Sequence, residues 1–388
     1  MRYISPILLQ RLSDNFQIGT KAPSAKVFFF DTDGNRITAP RVLKVDIERR
    51  FDMYSAEFEV ELDNTWGWLS PHYSFDKFPF LLGEVDRGDP VNNPWGRDII
   101  YPNRKIEIHL GYGDELIKNL TGLIDRVVIN AETKTITLTG RDMYKHLIEQ
   151  TIKDTHEWKE TPAKDIIVEL VEELGLEIEA EEVLEEGTGE PYVVPELSTE
   201  RARAYDYYVA ELLETTYSNI HADESGKIKL YHIPEVSQHD REDYVLDEFI
   251  NLTEAEFTTE DFDIFTNVII EGPGEENDNG NGSLASFQND FLRYTVCMGQ
   301  HREKVIRVPW ADTYNKKKQA ARTFFRRKRQ SLFAITVGAV GHPGIELYDI
   351  ARISEHVTTA SQKYLTQSIR TTFDENGYFD LIDLELAI

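Results

Sequence analysis

The residues of this chain that could carry out chemistry are mainly carboxylates. The run from Glu169 to Glu190 contains ten of them and no basic residue. Two carboxylates at the right separation can cleave a glycosidic bond, because one acts as the acid and the other as base or nucleophile. So many unpaired glutamates are more typical of a solvated face than of a tuned pair. We therefore expect no catalysis in this segment.

Two loops resemble metal sites without having a complete ligand set. Residues Asp31–Asn35 (DTDGN) resemble the start of a calcium loop, but Val42 stands at the twelfth position, where the loop needs a bidentate glutamate. Residues Asn277–Asn281 (NDNGN) could hold a cation weakly, although such sequences usually form plain loops. We expect a hairpin turn at the first position and a flexible loop at the second.

Other catalytic and cofactor motifs are missing from the sequence. The ten histidines are scattered, and neither they nor the single cysteine, Cys297, have the spacing of a zinc site. Nucleophile elbows, P-loops and the glycine fingerprint of dinucleotide binding do not occur. The sequence therefore predicts no catalytic residue, no metal, no cofactor and no enzymatic activity.

Eight basic side chains fall within fourteen consecutive residues that contain no acid. They are Lys316, Lys317, Lys318, Arg322, Arg326, Arg327, Lys328 and Arg329. A helix is predicted over residues 313–330, and its apolar stripe, which includes Phe324 and Phe325, must pack on another surface. We expect that surface to be the protein's own acidic face or another subunit, in preference to DNA. The eight residues are therefore a candidate subunit or partner interface.

The size and charge of the chain limit its function. Its 388 residues exceed one small core, so about two to four domains are expected. The net charge of −27 argues against a general nucleic-acid binder and against docking on anionic lipid, since both need an excess of Lys and Arg. A single cysteine excludes a disulfide framework within the chain. No run of eighteen apolar residues occurs, so we expect neither a membrane-spanning helix nor a membrane partner.

Hydrophobic periodicity divides the chain into three parts. Residues 1–141 alternate apolar and polar side chains between tight turns and predict a first β-barrel domain. Residues 142–250 predict a small α/β insert, with one helix starting at Thr161-Pro162 and another over about 198–218. Residues 251–388 return to β, with strands from about Leu292 to Val308, and predict a second barrel. The fold class is thus mainly β with an α/β insert (α+β), with two similar antiparallel barrels.

A long loop over residues 64–102 is rich in proline, glycine and aromatic residues, including Trp66, Trp68 and Trp95. Loops of this length in a compact domain are usually functional or interfacial. Tryptophan is also a favoured anchor at protein interfaces. We expect these three residues either to contact a subunit or partner or to cover the end of the first barrel, and the sequence favours neither.

Two stretches resemble a known family of structural proteins. Residues 106–148 are IEIHLGYGDELIKNLTGLIDRVVINAETKTITLTGRDMYKHLI, in which a strand, Thr-Gly, a strand, a turn, a strand and Gly-Arg-Asp follow one another. This stretch is similar to the first barrel of the baseplate hub proteins of contractile phage tails and related injection particles, the late-control-D type. GHPGIELYDIARI (341–353) and LTQSIRTTFDENGYFDLIDLEL (365–386) are similar to the last barrel of that family. The middle segment resembles the insert of the family.

The resemblance implies a structural role in the baseplate of a virion tail, assembled in the host cytoplasm. Three copies would form a ring in which each gives two similar tube domains, so that six barrels make a pseudo-sixfold face. The sixfold tail tube would bind this face and a threefold spike would bind below, with the tape measure and other baseplate proteins as further partners. DNA would only pass through the channel, and acidic walls would repel its phosphates.

Two alternatives share part of this interpretation. The first is a tail-associated cell-wall hydrolase, a hub-derived enzyme that usually carries a hydrolase domain after the hub portion, which we do not expect here. The second is the hub of a contractile secretion or toxin particle, which would share the fold and differ in cargo. The sequence does not separate the second alternative from a phage hub.

Overall fold

The computed structural model describes most of the chain. The described residues are 22–30, 34–65, 69, 100–185, 188–233, 237, 239–258, 264–273, 284–330, 334–355 and 361–386. Trp66, Trp68, Trp95 and the Asn277–Asn281 loop lie outside them, as do the first three residues of the DTDGN turn. Among the described residues, no helix has both the length and the hydropathy needed to cross a membrane.

The first part of the chain forms seven strands, several of which alternate between buried and more exposed side chains. They are β1 (Pro23–Phe30), β2 (Arg36–Thr38), β3 (Val42–Arg50), β4 (Met53–Asp63), β5 (Lys105–Tyr112), β6 (Glu115–Asn130) and β7 (Thr135–Asp142). The two hairpins that join β5 to β6 and β6 to β7 have the predicted turn chemistry, since Gly113 and Lys134 adopt positive φ in them.

The middle part mixes short helices and strands. Its elements are α1 (Lys145–Glu149), β8 (Glu157–Pro162), α2 (Ala163–Glu173), β9 (Ile178–Ala180), β10 (Val193–Ser198), α3 (Tyr205–Thr216), β11 (Ser218–Ala222) and β12 (Ile228–His232). The sequence placed α3 over about 198–218, which was too long, because the preceding residues form β10 and a turn in which Ala202 has positive φ. Helix α2 begins after Pro162, which is its N-cap residue in place of the predicted Thr161.

The last part returns to β around one long helix. Its elements are β13 (Tyr244–Asp247), β14 (Leu252–Thr258), β15 (Asn267–Glu271), β16 (Leu284–Gln288), a π-helical turn (Leu292–Val296), β17 (Glu303–Arg307), α4 (Tyr314–Gln330), β18 (Ala334–Val340), β19 (Ile350–Ser354), β20 (Ser361–Asp374) and β21 (Gly377–Leu386). The predicted strands from Leu292 to Val308 were wrong in their first half, where the π-helical turn lies.

Thirteen strands from both ends of the chain form one sheet. Its main order is β14-β18-β21-β20-β3-β4-β7-β6-β5-β1-β2, with β19 and β13 branching from β20. The mainly β, α+β fold class is confirmed. No pairing among the described strands closes the path into a ring. The two β parts of the chain are instead joined edge to edge, where β20 pairs with β3.

The two halves of this sheet repeat one topology. In space, β1, β5, β6, β7, β4 and β3 follow each other in the first half, as do β13, β19, β20, β21, β18 and β14 in the second. The equivalent strands also occur in the same order along the chain. One pairing differs, because β1 is antiparallel to β5 whereas β13 is parallel to β19. We call these halves the first and the second β unit.

Each β unit has its own hydrophobic core, and a third core lies in the middle of the chain. All six main strands of the first unit contribute to one core, which indicates a strongly curved sheet. The third core joins α2 and α3 to α4 and β15, so residues 264–330 pack with the insert. The division at 141/142 and 250/251 stays a prediction, and the packing does not follow its second boundary.

Two glycines within residues 106–148 leave space for the ring of Phe58. The backbone at Gly122 and Gly140 faces Phe58 of β4, which is 4% exposed, so a Cβ at either position would crowd that ring. A Cβ at Gly140 would also overlap the carbonyl oxygen of Leu123. The Thr-Gly and Gly-Arg-Asp motifs are therefore packing requirements of the first β unit.

The aspartate that ends this motif fixes the exit of the chain into the insert. Asp142 is buried and accepts hydrogen bonds from the Ser55 hydroxyl (2.9 Å) and from the N–H groups of Ala56 (2.8 Å) and Tyr144 (3.0 Å). Burial outweighs these donors and raises the pKa of Asp142 to about 7. The three donors tie the end of β7 to β4 and to the start of α1.

Gly140→Ala is expected to lower the free energy of unfolding by about 1–3 kcal/mol, because the new methyl group overpacks the core beside Phe58. Adding Phe58→Leu should recover only part of the loss, since the Leu123 carbonyl still obstructs the methyl group. Thr139→Ala, a change on the opposite face of β7, is the control and should cost about 0.5 kcal/mol or less. Urea denaturation measures all four proteins, and equal losses for Gly140→Ala and Thr139→Ala would contradict the packing role.

Candidate functional surface

The pairing of β20 with β3 builds a continuous surface across both β units. Six residue pairs run in register from Ser368 opposite Arg50 to Phe373 opposite Val45. Only the second half of β20 takes part, because its first half pairs with β19. The result is a run of eight strands, β14-β18-β21-β20-β3-β4-β7-β6, with four strands from each unit.

One face of these eight strands packs on the two cores, and the other is largely open to solvent, although Ser55 of β4 and Leu123 of β6 are buried on that side. On β4, for example, Phe58, Val60 and Leu62 are buried, so the glutamates between them point to the opposite side. We call that opposite side the wall face. Register places ten carboxylates on it: Asp46, Glu48, Glu57, Glu59, Glu61, Asp63, Glu254, Glu256, Asp383 and Glu385. Five basic residues share it: Lys44, Arg50, Arg126, Arg141 and Arg370.

Ion pairs and hydroxyl groups hold several of these carboxylates in place. Lys44 Nζ lies 2.7 Å from Asp46 Oδ2 and 3.0 Å from Glu59 Oε1. Burial alone would raise the pKa of Asp46, but hydrogen bonds from Lys44 and Thr372 outweigh it and lower that pKa below its ordinary value. The same bond to Asp46 raises the pKa of Lys44. Asp46 therefore stays ionised at neutral pH beside the joint between the units.

A buried corner lies behind the wall face where the two cores meet. The Tyr112 hydroxyl donates to the Gly341 carbonyl (2.8 Å), and Tyr112 stacks on Tyr378 of β21 at 5.7 Å between ring centres. Tyr378 belongs to the core of the first unit although β21 belongs to the second. A side chain at Gly341 would overlap the Tyr378 ring, so the predicted GHPG turn needs glycine there.

Asp380 of β21 accepts a hydrogen bond from the backbone of this turn. Its Oδ2 accepts the N–H of His342 (2.6 Å), and its Oδ1 accepts the Thr371 hydroxyl (2.7 Å). Burial raises the pKa of Asp380 to about 6 and lowers the pKa of His342 to about 4. Both side chains thus resist ionisation, and between about pH 4 and pH 6 both are mainly neutral.

The predicted basic helix, α4, packs on its own chain. Lys316 and Lys317 are each only 5% exposed, and Lys316 Nζ donates to Asp312 Oδ1 at 2.7 Å. Arg327 donates to the Leu213 carbonyl of α3 (3.4 Å). Lys318 and Arg322 are exposed, Arg326 and Lys328 are half-buried, and the side chain of Arg329 lies outside the described residues. Part of the basic cluster therefore packs on the protein's own chain, and a role of the cluster as a subunit or partner interface stays a prediction.

The first three glutamates of the acidic run, Glu169, Glu172 and Glu173, lie on an exposed face of α2. An open depression of about 540 Å³ is lined by the exposed carboxylates of this helix and by His156. The ring of His156 stacks on Trp158 (5.4 Å), whose indole N–H donates to Glu169 (2.7 Å). In the part of the chain that the structure describes, no group of three or more His, Cys, Asp or Glu side chains is placed to hold a metal ion.

The sequence did not single out the wall face. The signal for it was present in β4, where Glu57, Glu59 and Glu61 alternate with buried apolar residues. Alternation shows that acids share one face of a strand, but it does not show which strands of distant parts of the chain continue that face. The pairing of β20 with β3 supplies that information.

Comparison with solved structures finds this fold in phage tail proteins. The 43 kDa tail protein of prophage MuSo2 from Shewanella oneidensis superposes with a TM-score of 0.64 at 14% identity, over 93% of this chain and 98% of that one. The tail protein from Neisseria meningitidis MC58 gives 0.64 at 12% identity, over 93% and 96%. A component of the type VI secretion system of E. coli, itself similar to the T4 bacteriophage tail proteins gp27 and gp5, gives 0.50 at 7% identity, over 89% and 73%.

These likenesses confirm the expected resemblance at the level of the fold. No protein-family model and no curated protein matches the chain. The fold that the sequence pointed to, through residues 106–148, 341–353 and 365–386, is therefore found in prophage tail proteins and in a component of a type VI secretion system.

Asp380→Asn is expected to remove a pH-dependent loss of stability. The carboxamide can accept from His342 N–H and donate to Thr371, so the hydrogen bonds persist. Because the folded-state pKa of Asp380 is raised to about 6, wild-type protein loses the contribution of this group as pH rises from 4 through 6. The variant should therefore gain stability relative to wild type over that range, by up to about 3 kcal/mol.

Urea denaturation at pH 4.5, 5.5, 6.5 and 7.5 tests this expectation. Asp114→Asn, at the exposed β5–β6 turn, is the matched control and should follow wild type at every pH. A constant difference between Asp380→Asn and wild type across the range would show that Asp380 does not titrate there.

Proposed function

We propose that this protein is a structural baseplate hub of a contractile tail or phage-like particle. Three copies form a ring, each copy contributes two β units, and the wall faces line a central channel. The hub adapts a sixfold tail tube to a threefold spike. It acts through shape and charge, without catalysis. Its partners are further copies of itself, the tube and spike proteins and, in passing, DNA.

The observation that carries the proposal is the joint between β20 and β3. It joins two units of equal strand order side by side, so that one chain presents two similar segments of one wall. A ring of three such chains has six similar segments, and this is the geometry that contact with both sixfold and threefold neighbours requires. The fold shared with phage tail proteins supports the same assignment.

The charge of the wall face suits a channel for nucleic acid. Ten carboxylates against five basic residues leave the face acidic, and ionised Asp46 lies near its centre. DNA phosphates would be repelled from such a surface, so the duplex would slide past without being held. The overall charge of −27 has the same sign.

A second candidate is the hub of a contractile secretion particle. The likeness to a component of the E. coli type VI secretion system favours it, although that TM-score is lower than those of the phage tail proteins. The ring and wall would be the same, and a protein cargo would replace DNA.

Electron microscopy of the purified protein and of intact particles tests the ring. The proposal predicts a hollow threefold ring in which the wall face lines the channel and the tube contacts one side. A compact particle without a central channel would contradict it. Release of soluble fragments from peptidoglycan by the purified protein would favour the cell-wall hydrolase instead.

The acidity of the channel can be tested on the assembled ring. Reversing three wall charges in Glu57→Lys/Glu59→Lys/Glu61→Lys should make the ring retain a fluorescent DNA duplex at low salt, with retention that falls as salt rises. Wild type should show no retention. Glu172→Lys/Glu177→Lys/Glu190→Lys changes the charge by the same amount on the insert and is the control. Equal DNA retention by both variants would place the three glutamates outside the channel.

A further inference from the structure

Two strands at the ends of the wall have an edge without a partner strand in the described residues. Strand β14 pairs only with β18. The second half of β6, from Arg126 to Asn130, pairs only with β7, because β5 extends no further than Leu123 along β6. These edges carry exposed apolar side chains: Phe257 is 42% exposed, Val128 38% and Ile129 36%. Edges of this kind readily accept a strand from another chain.

The internal repeat shows which strand belongs at each edge. In strand order, β14 is the equivalent of β3, and β6 is the equivalent of β20. Within one chain, β3 pairs with the second half of β20. The equivalent pair, β14 with the second half of β6, is not formed within the chain. Two copies placed side by side would form it and would continue the wall.

The repeat also fixes the register of that pair. In each unit, one pair of core-facing residues lies next to the hairpin turn. It is Ile129 opposite Ile136 in the first unit and Phe373 opposite Tyr378 in the second, so these two pairs are equivalent. Counting three residues back from Ile129 and from Phe373 gives Arg126 and Arg370, two residues of the same type at equivalent positions.

The register of the other strand follows from its neighbours. Leu138 lies two residues after Ile136, and Asp380 lies two residues after Tyr378, so Leu138 and Asp380 are equivalent. Leu138 pairs with Val60 and Asp380 with Ala339, which makes Val60 and Ala339 equivalent as well. Two residues further along β4 and β18 lie Phe58 and Val337, which pair with Ile47 and Ala255. The next residues, Glu48 and Glu256, are therefore equivalent.

Within the chain, Glu48 lies directly opposite Arg370. We propose that β14 of one copy pairs antiparallel with residues 126–129 of β6 in the next copy, with Glu256 opposite Arg126. This contact rests on the proposed ring and specifies how the ring closes. It is heterologous, since each copy offers a different edge to each neighbour, and such contacts close into rings when the rotation allows.

The chemistry of the two edges supports this pairing. Glu256 and Arg126 are both exposed, and neither has an ion pair or a side-chain hydrogen bond in the described part of the chain. Opposite charges facing each other across a ladder are favourable, whereas like charges would oppose the contact. Phe257 and Ile129 would lose solvent on the core side of the same ladder. At the rung of Glu256 and Arg126, the contact would place an acid opposite an arginine, as Glu48 lies opposite Arg370 in the internal joint.

A disulfide across the new ladder tests the register directly. Cα atoms of opposite residues in an antiparallel pair lie about 5 Å apart, within the range of a disulfide. Under a mild oxidant, Glu256→Cys/Arg126→Cys should form covalent oligomers up to a closed trimer on a non-reducing gel. The native Cys297 is 3% exposed and should not interfere. Glu256→Cys/Asn130→Cys is the control, since its thiols would lie four residues out of register.

Charge reversal tests the same pair without oxidation. Glu256→Arg and Arg126→Glu each place like charges opposite one another, and each should weaken self-association by roughly tenfold or more in sedimentation velocity. The double variant Glu256→Arg/Arg126→Glu restores opposite charges and should recover association. Glu172→Arg, exposed on α2, is the control and should associate like wild type.

The outcomes separate this inference from the proposed function. Suppose that wild type and both charge variants form rings and that Glu256→Cys/Arg126→Cys forms no cross-links. Another surface would then close the ring. The hub proposal would then stand, and this inference would be wrong. Wild-type protein that forms no ring even in intact particles would overturn both. Cross-links in the in-register variant only, together with recovery by the double charge variant, would establish the contact.

Discussion

The ladder between β20 and β3 is the interaction on which the rest of this structure depends. It joins residues that are more than 300 positions apart in the chain and makes one sheet from two curved units. Side chains alternate along a strand, so a shift of one residue would turn the core residues of β3 toward solvent and its acids toward the core. Both cores therefore fix the register of the ladder, and the ladder in turn aligns the two halves of the wall face.

Polar groups that are difficult to ionise hold the corner behind this ladder. Asp380 binds the turn that begins at Gly341, and Tyr112 from the first unit binds the same turn. A buried carboxylate is costly unless donors satisfy it, and here a backbone N–H and a hydroxyl do so. The corner thus resists relative movement of the two units. On the wall face itself, by contrast, ion pairs keep Asp46 charged.

The sequence predicted the strands of the first unit well because alternation and hairpin turns are local signals. It predicted less where tertiary contacts decide. Residues 193–198 form a strand since β8 pairs with them, and the segment at Leu292 forms a π-helical turn that closes over the third core. The charge of the basic helix predicted its position. The structure adds that its apolar side chains and some of its basic side chains pack on the rest of the protein. The joint between the units could not be read from the sequence, because pairing of distant strands leaves no local pattern.

Hydrogen exchange of the backbone amides in β3 and β20 of the free protein measures the joint most directly. If the two β units form one wall, the amides of residues 45–50 and 368–373 will be protected as strongly as those of β4 and β7 in the sheet interior. Protection in β3 and β20 no greater than in the edge strand β2 would mean that the units are separate in solution, which would contradict the account.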